Sequence, residues 1–274
     1  VKGKKMKLET VLYDRDGKVG IIRLNRPERM NAVIEQMYLD LQAVLNDVRE
    51  DDGIRALILT GTTWQRPKGD IEAFCAGADL KKHSAGERTP WQKREYIFLA
   101  HETTRQLHEF PKPVIVAVNG PARGAGSEMA LNGDLLLMAD TATIGFPETG
   151  LATFVGGGVT SHLVKLVGMM KAKELVYTGR ILDGPAAVSV GLAVKSVPLA
   201  QLLPEALKLA QLLAGKAPVS MAFAKKLIHK APLWDLETVL LAEAEAILAC
   251  MNTEDWHEGV RSFTEKRQPD YKGR

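Results

Sequence analysis

Apolar and polar positions near the start of the chain follow a strand pattern. Thr10-Val11-Leu12-Tyr13 and Val19-Gly20-Ile21-Ile22-Arg23-Leu24 read as two strands. Asp14-Arg15-Asp16-Gly17 between them has Asp-Gly turn chemistry, which predicts a hairpin over 8–24. Asn25-Arg26-Pro27 ends it. Asn31 then reads as the N-cap of a helix to about Arg49, with Met37, Leu39, Leu41 and Leu45 as its apolar positions. Ala56–Thr60 is predicted as a short buried strand stopped by Gly61. A polar loop with Pro67 and Gly69 covers 62–72. Ala73–Asp79 follows, then a second charged loop through Pro90 and a long amphipathic helix over Trp91–Phe110.

Pro113-Val114-Ile115-Val116-Ala117-Val118 is the most strand-like run, apolar enough to be buried on both faces. A glycine-rich turn covers Gly120 to Gly126, with a short helix starting near its end. Leu135–Met138 and Thr143–Gly145 read as two more strands. After about Pro198 the pattern holds helices only, over 200–214, 218–230, 236–250 and 254–266. The order predicts a mixed α/β core over 1–199 and a helical region over 200–274. No repeat, low-complexity segment or linker is visible.

Composition narrows the function classes. The 274 residues are 46% hydrophobic and 25% charged, as in globular proteins, which excludes disorder as the main state. The longest uncharged stretch, Thr149–Val164, is too short and too rich in glycine to span a bilayer. The basic N-terminus is followed by no apolar h-region. Met6 is a candidate natural start with Val1–Lys5 added ahead of it, which leaves a removed targeting segment open. The net charge of +3 (36 basic minus 33 acidic residues) hints at anionic ligands and falls far short of a nucleic-acid footprint. With only 6% aromatic residues there is little to stack on bases. Two cysteines, Cys75 and Cys250, make neither a disulfide framework nor a structural zinc site, so a reducing, cytoplasmic setting is expected.

The candidate chemistry clusters at glycines. In Ala73-Phe74-Cys75-Ala76-Gly77-Ala78-Asp79-Leu80, small residues either expose backbone N–H groups to a ligand or let a tight loop pack. In Val116–Glu128 a buried strand enters the turn Gly120-Pro121-Ala122-Arg123-Gly124-Ala125-Gly126 and then a helix, whose free N–H groups and dipole favour developing negative charge. The spacing matches neither a P-loop, nor the dinucleotide fingerprint, nor a nucleophile elbow. A third segment, Phe146-Pro147-Glu148-Thr149-Gly150, precedes Gly156-Gly157-Gly158. Glu128 and Glu148 are therefore a possible acid/base pair, against the alternative that Glu148 is a solvated surface residue. His83, His101, His108, His162, His229 and His257 show no metal-ligand spacing and are read as structural or exposed. Cys75 has no identifiable His or Asn partner and is read as a small packing residue.

Together these segments resemble the crotonase family, the enoyl-CoA hydratase/isomerase superfamily. Leu24-Asn25-Arg26-Pro27-Glu28-Arg29-Met30-Asn31-Ala32 is similar to its early signature, Ala73–Leu80 to its first oxyanion loop and Asn119–Glu128 to its second. Pro147–Gly158 is similar to its second catalytic segment, and Phe263-Thr264-Glu265-Lys266-Arg267-Gln268-Pro269 to its closing motif. The resemblance covers nearly the whole chain.

It implies a spiral of ββα turns with a C-terminal helical trimerisation region, and assembly as a homotrimer or a hexamer of two trimers. It implies an acyl-CoA substrate, with no nucleic acid, membrane or metal partner, and no cofactor beyond the coenzyme A that arrives with the substrate. By motif position the backbone N–H groups of Ala78 and Ala125 form the oxyanion hole. Ala125 departs from the glycine common in relatives. Both glutamates of the hydratase branch are present, Glu148 as proton donor to the α-carbon and Glu128 as the base that positions water. Arg29, Ala76, Asp79, Leu80 and Lys81, with Phe263 and Lys266 from the closing motif, are the implied CoA-binding residues, the last two often supplied by a neighbouring subunit. The implied activity is hydration of an enoyl-CoA. The alternatives are double-bond isomerisation, thioester hydrolysis and non-catalytic acyl-CoA binding. Arg123 either recognises a polar acyl group or is a surface charge. The 62–72 loop with Trp64 is longer than usual for the family.

Overall fold

Two strands with their polar residues at the tip open the chain, and they set the edge of the main sheet. The structure, a computed structural model, describes residues 7–84, 86 and 88–274. The reading of Met6 and Val1–Lys5 lies outside the described residues. Strand β1 (Val11–Asp16) pairs antiparallel with β2 (Val19–Leu24), Val11 opposite Leu24 and Asp16 opposite Val19. The turn is thus Gly17-Lys18, two residues later than predicted. Gly17 takes φ +57°, the left-handed conformation that a two-residue hairpin turn needs, and Asp14 stays in the strand, where it pairs with Arg23.

From β2 the sheet continues in parallel through β3 (Ala56–Gly61), β4 (Val114–Val118), β6 (Leu135–Ala139) and β9 (Lys195–Val197). Ile22 stands beside Leu59, Leu59 beside Val116 and Val116 beside Leu136. Every residue of β3 and β4 is buried, as expected for parallel strands covered on both faces. Gly61 is part of β3 and pairs with Leu24, so it does not stop the strand. A smaller sheet holds β5 (Ala122–Arg123), β7 (Thr143–Gly145) and β8 (Leu182–Asp183). Two main-sheet strands, β4 and β6, hand the chain to this second sheet and then to a helix. β4–β5 leads to α4 (Ala125–Leu131), and β6–β7 leads to α5 (Val159–Val167). This is the predicted spiral of ββα turns.

The first helix, α1, spans Glu35–Glu50, and its N-cap is Ile34 without a side-chain bond. Asn31 is not the cap. It sits fully buried at φ +53°, accepts a 2.9 Å bond from Arg26 N–H and donates to the carbonyls of Thr62 (3.0 Å) and Ala73 (2.8 Å). It ties three segments together. Leu39, read as one of the apolar positions of α1, faces solvent. After α2 (Leu80–Ser84), α3 (Pro90–His108) starts at a capping box: Gln92 N–H donates to Thr89 Oγ1, and Thr89 N–H donates to the Gln92 side chain.

Helices α6 (Met169–Thr178) and α7 (Gly184–Ser189) follow α5. Then α8 (Leu199–Ala214) lays Leu202, Ala206, Ala210 and Ala214 on the main sheet, where small residues at i, i+4 spacing let helix and strands approach closely. The sheet's own covering therefore runs past residue 199 to Ala214. Beyond it, α9 (Pro218–Lys230) and α10 (Leu236–Met251) bury almost nothing, and Leu236, Leu240, Leu241, Ile247 and Leu248 stand exposed. The last helix, α11 (Glu254–Glu265), carries the closing motif.

Candidate active site

The two glycine segments meet backbone to backbone. Cys75 N–H donates to the Pro121 carbonyl and Arg123 N–H to the Cys75 carbonyl, both at 3.0 Å. The Cys75 carbonyl lies against the α-carbon of Gly126, where no side chain fits. On the other side Val33 pairs with Ala78: Val33 N–H donates to Gly77 (2.8 Å) and Asp79 N–H to Val33 (2.9 Å). In an extended strand alternate groups face opposite ways, so the Ala78 N–H points away from Val33. Ala125 is the first residue of α4, where a helix N–H has no intrahelical acceptor. Among the described residues neither N–H donates to a protein acceptor, and both residues line one cavity of about 680 Å3.

Glu128 and Glu148 line the same cavity. Glu128 stands one turn into α4 and is 8% exposed, and its Oε1 accepts a 2.7 Å bond from Gly156 N–H. Glu148 opens the 3-10 turn Glu148–Leu151 at the end of β7 and is 6% exposed. Neither of its carboxyl oxygens has a hydrogen-bond partner among the described residues. A methyl group on Gly124 would stand 3.1 Å from Glu148 Oε1, so the carboxyl lies over the turn that leads to Ala125. Burial pushes both acids above the ordinary carboxylate range. For Glu128 the Gly156 N–H pulls back part of the shift, whereas the nearby charge of Glu128 pushes Glu148 further up. The pair is therefore unequal: a donor favours the carboxylate at Glu128, and isolation favours the neutral acid at Glu148.

The remaining walls are mostly apolar, from Leu80, Ile97, Leu151 and Phe154. Three further residues of the cavity carry polar groups that the sequence reading does not place at the site, with His101 read there as structural or exposed. The Tyr38 hydroxyl bonds to Tyr96, and burial, followed by Tyr96 and Glu128, raises its pKa. His101 lines the cavity too. A methyl on Gly156 would lie 3.1 Å from both His101 Nε2 and Glu128 Oε2, which bounds their separation at twice that distance. The signal was the α3 pattern, since Tyr96, Ile97, Ala100 and His101 fall on one helical face.

Of the residues implied for CoA, Ala76 and Leu80 line the cavity. Arg29, exposed at the end of the turn Pro27–Arg29, does not. Asp79 is engaged structurally. Burial works against its charge, but a 3.0 Å pair with Arg26 and the Lys82 N–H hold its carboxyl below the usual range. Lys81 lies exposed on α2 outside the cavity lining. Phe263 and Lys266 are on α11, and Phe263 lines a different depression with Trp256 and Tyr271, so one chain does not bring this pair to the glutamates.

Arg123 lines the cavity and is not a free surface charge. Its half-buried guanidinium donates to the carbonyls of Ala122 (2.8 Å) and Thr143 (3.0 Å) and to Thr143 Oγ1 (2.9 Å), clamping β5 to β7. Burial pushes the Cys75 thiol up to about 12, which leaves it inert and suits the packing reading. In the 62–72 loop Trp64 pairs with Ile71 across a bridge, and Arg66 stacks on its ring at 4.8 Å. The side chain of His83 lies outside the described residues. No group of three or more potential metal ligands occurs among the described residues.

Comparison with known proteins agrees with this geometry. The family model described as enoyl-CoA hydratase/isomerase matches residues 14–274. The short-chain-enoyl-CoA hydratase of Clostridium acetobutylicum is 34% identical over 263 residues, covering 96% of this chain and 97% of that protein. The crotonyl-CoA hydratase of Syntrophomonas wolfei is 32% identical, covering 97% and 99%. The crystal structure of an enoyl-CoA hydratase from Bacillus anthracis superposes with a TM-score of 0.91 at 35% identity, over 97% of this chain and 100% of that one. These matches run through every segment that builds the cavity, and the chain belongs to the enoyl-CoA hydratase/isomerase family.

Proposed function

We propose that this chain is an enoyl-CoA hydratase that adds water across the α,β double bond of an acyl-CoA to give a 3-hydroxyacyl-CoA. The observation that carries the reading is the unequal carboxyl pair. Glu128 is held as a base by Gly156, and Glu148 is a buried acid with no partner, beside two free backbone donors. The thioester oxygen accepts the N–H groups of Ala78 and Ala125, which act on charge that grows in the transition state. Glu128 takes a proton from water as the water oxygen bonds to the β-carbon. The electrons pass to the thioester, and Glu148 gives its proton to the α-carbon. One proton transfer from Glu128 to Glu148 restores the starting state. No step draws on a metal or redox group.

Ala76 and Leu80 support placing the pantetheine arm at the first loop, and we assign Lys81 and Arg29 to its outer end. Phe263 and Lys266 reach the nucleotide end only from a neighbouring subunit, so the reading requires assembly. The exposed leucine-rich face of α10 supports a trimer. We assign the catalytic core to 1–199 together with α8, and the assembly region to α10 and α11. Two unpaired cysteines support a reducing, cytoplasmic setting. Among the described residues no helix is long and apolar enough to cross a membrane.

The test is the conjugated enoyl-thioester absorbance on mixing with crotonyl-CoA. A hydratase removes it and yields 3-hydroxybutyryl-CoA. A double-bond isomerase would act on a 3-enoyl-CoA only, a thioester hydrolase would release free CoA, and a binding protein would leave the spectrum unchanged.

A further inference from the structure

Three histidines on three helices form a stack outside the catalytic cavity. His108 ends α3, His162 lies on α5 and His229 on α9. The His108 and His229 rings are 4.0 Å apart and 9° from parallel, and His108 and His162 are 4.4 Å apart. The stack forms one wall of a second cavity, of about 490 Å3. Lys165, Lys226 and Lys230 surround it, and none of the three has an ion pair or hydrogen bond to protein among the described residues. Lys225 is different: its nearly buried ammonium is spent on Asp134 at 2.8 Å. Asp134 approaches His229 at 3.7 Å and is neutralised by that pair. The carboxylate of Glu109 at the rim is taken by Arg105 at 2.7 Å. Pro111, Ala222 and Leu233 make the rest of the wall apolar, while Phe110 is fully buried.

This cavity has cations without counter-charges, a wall of stacked imidazoles and apolar groups from Pro111, Ala222 and Leu233. We propose that it is a binding site for a compact organic anion, a carboxylate carried on a flat apolar body, distinct from the acyl-CoA cavity. The carboxylate meets the three lysines, and the apolar body lies against Pro111, Leu233 and the outer side of the imidazole stack. Burial, with the neighbouring imidazoles, pushes His108 down to about 3 and lowers His162 and His229, so the rings are neutral at pH 7 and can stack on an apolar ligand without repelling one another. The site also touches the catalytic side of the molecule. A methyl on Gly158 would stand 2.7 Å from His162 Nε2, and Gly158 ends the turn whose Gly156 N–H holds Glu128.

The experiment uses the intact protein at pH 7 with benzoate as the probe and inorganic phosphate as the comparison. Calorimetric titration is read beside the side-chain nitrogen resonances of the histidines. One saturable benzoate site per chain is expected, shifting His108, His162 and His229. Phosphate should bind at least tenfold more weakly. Lys165→Ala with Lys226→Ala should weaken benzoate at least tenfold and leave the melting temperature unchanged. The proposal is overturned by absence of saturation, by affinity that ignores the lysine changes, by phosphate binding as tightly as benzoate, or by shifts confined to His101, which would place the probe in the catalytic cavity. None of these outcomes depends on hydratase activity.

Discussion

Asn132 holds Gly157 in place: its side-chain amide donates to the Gly157 carbonyl at 2.7 Å and, with its second hydrogen, to the Glu128 carbonyl at 2.8 Å. The helix that carries Glu128 and the glycine turn that bonds its carboxylate are thus fastened by one buried side chain. Replacing Asn132 by Ala strands two buried carbonyls, a loss of about 1–3 kcal/mol each in comparable cases. We expect Asn132→Ala to lower the urea midpoint and to cut kcat on the order of 10- to 100-fold through misplacement of the base. KM should change little, because the proposed CoA contacts lie elsewhere. A variant destabilised as expected but with full kcat would show that the turn needs no such fastening.

On the proposed mechanism the glutamates divide their work, and their substitutions should reveal that. Glu128→Gln removes the base and Glu148→Gln the acid, so each should lower hydration by about 10²–10⁴-fold. Acyl-CoA binding, measured by calorimetry with a saturated analogue, should persist in both. The double variant should lose far less than the product of the single losses, because groups acting as a unit are not additive. Full hydration by Glu148→Gln with Glu128→Gln inactive would point to single-glutamate chemistry and favour the isomerase.

Much of this site was legible in the sequence because glycine spacing and strand patterns act locally. Gly124 and Gly126 announce a turn that nothing else fits, and the buried run Val114–Val118 announces the strand that aims it. What stayed hidden was set by tertiary contacts. Asn31 has the composition of a helix cap but is spent at 0% exposure on Thr62 and Ala73, segments far along the chain. Arg123 is adjacent to the oxyanion turn in sequence, yet its side chain runs sideways to Thr143. His101 showed no ligand spacing, since its significance comes from Gly156 and Glu128, which α3 meets only in the fold. The stripe of α8 reads as the start of a helical tail, and only the sheet beneath it shows that it closes the core.

Acidity should separate stability from activity. The carboxyls of Glu128 and Glu148 have folded-state pKa values raised above an unfolded value of about 4.3. Each then favours folding while protonated. That contribution is full below the unfolded pKa and is lost as pH rises through the raised folded pKa. Glu148→Gln, which carries no ionisable group, should therefore gain melting temperature relative to the parent protein as pH rises from 4 to 8. The gain should be absent at pH 4. A difference that stays flat with pH would mean that Glu148 titrates as an exposed acid does. Hydration itself should follow a bell, rising as one carboxyl of the pair ionises and falling as the second does, with both values belonging to the pair.

The oxyanion donors can be tested one at a time, and the fold makes Ala125 the better choice. Ala125 is the first residue of α4, with Gly124 as its N-cap. Proline is accommodated at that position, since the helix makes no use of the N–H there and the φ angle already suits the ring. Ala125→Pro should therefore remove one donor while keeping the helix. Ala78→Pro removes the other donor but sits in the extended pairing with Val33, where the fold is less forgiving. Loss of one such donor costs about 10²–10³ in turnover elsewhere. We expect that loss in kcat for Ala125→Pro, with helix content and melting temperature close to the parent. The added ring carbon also occupies part of the oxygen's place, so binding of a saturated acyl-CoA serves as the control. If binding survives and kcat falls, the N–H acts on the transition state. If kcat survives, the thioester oxygen is held by another group, and the assignment of Ala125 is wrong.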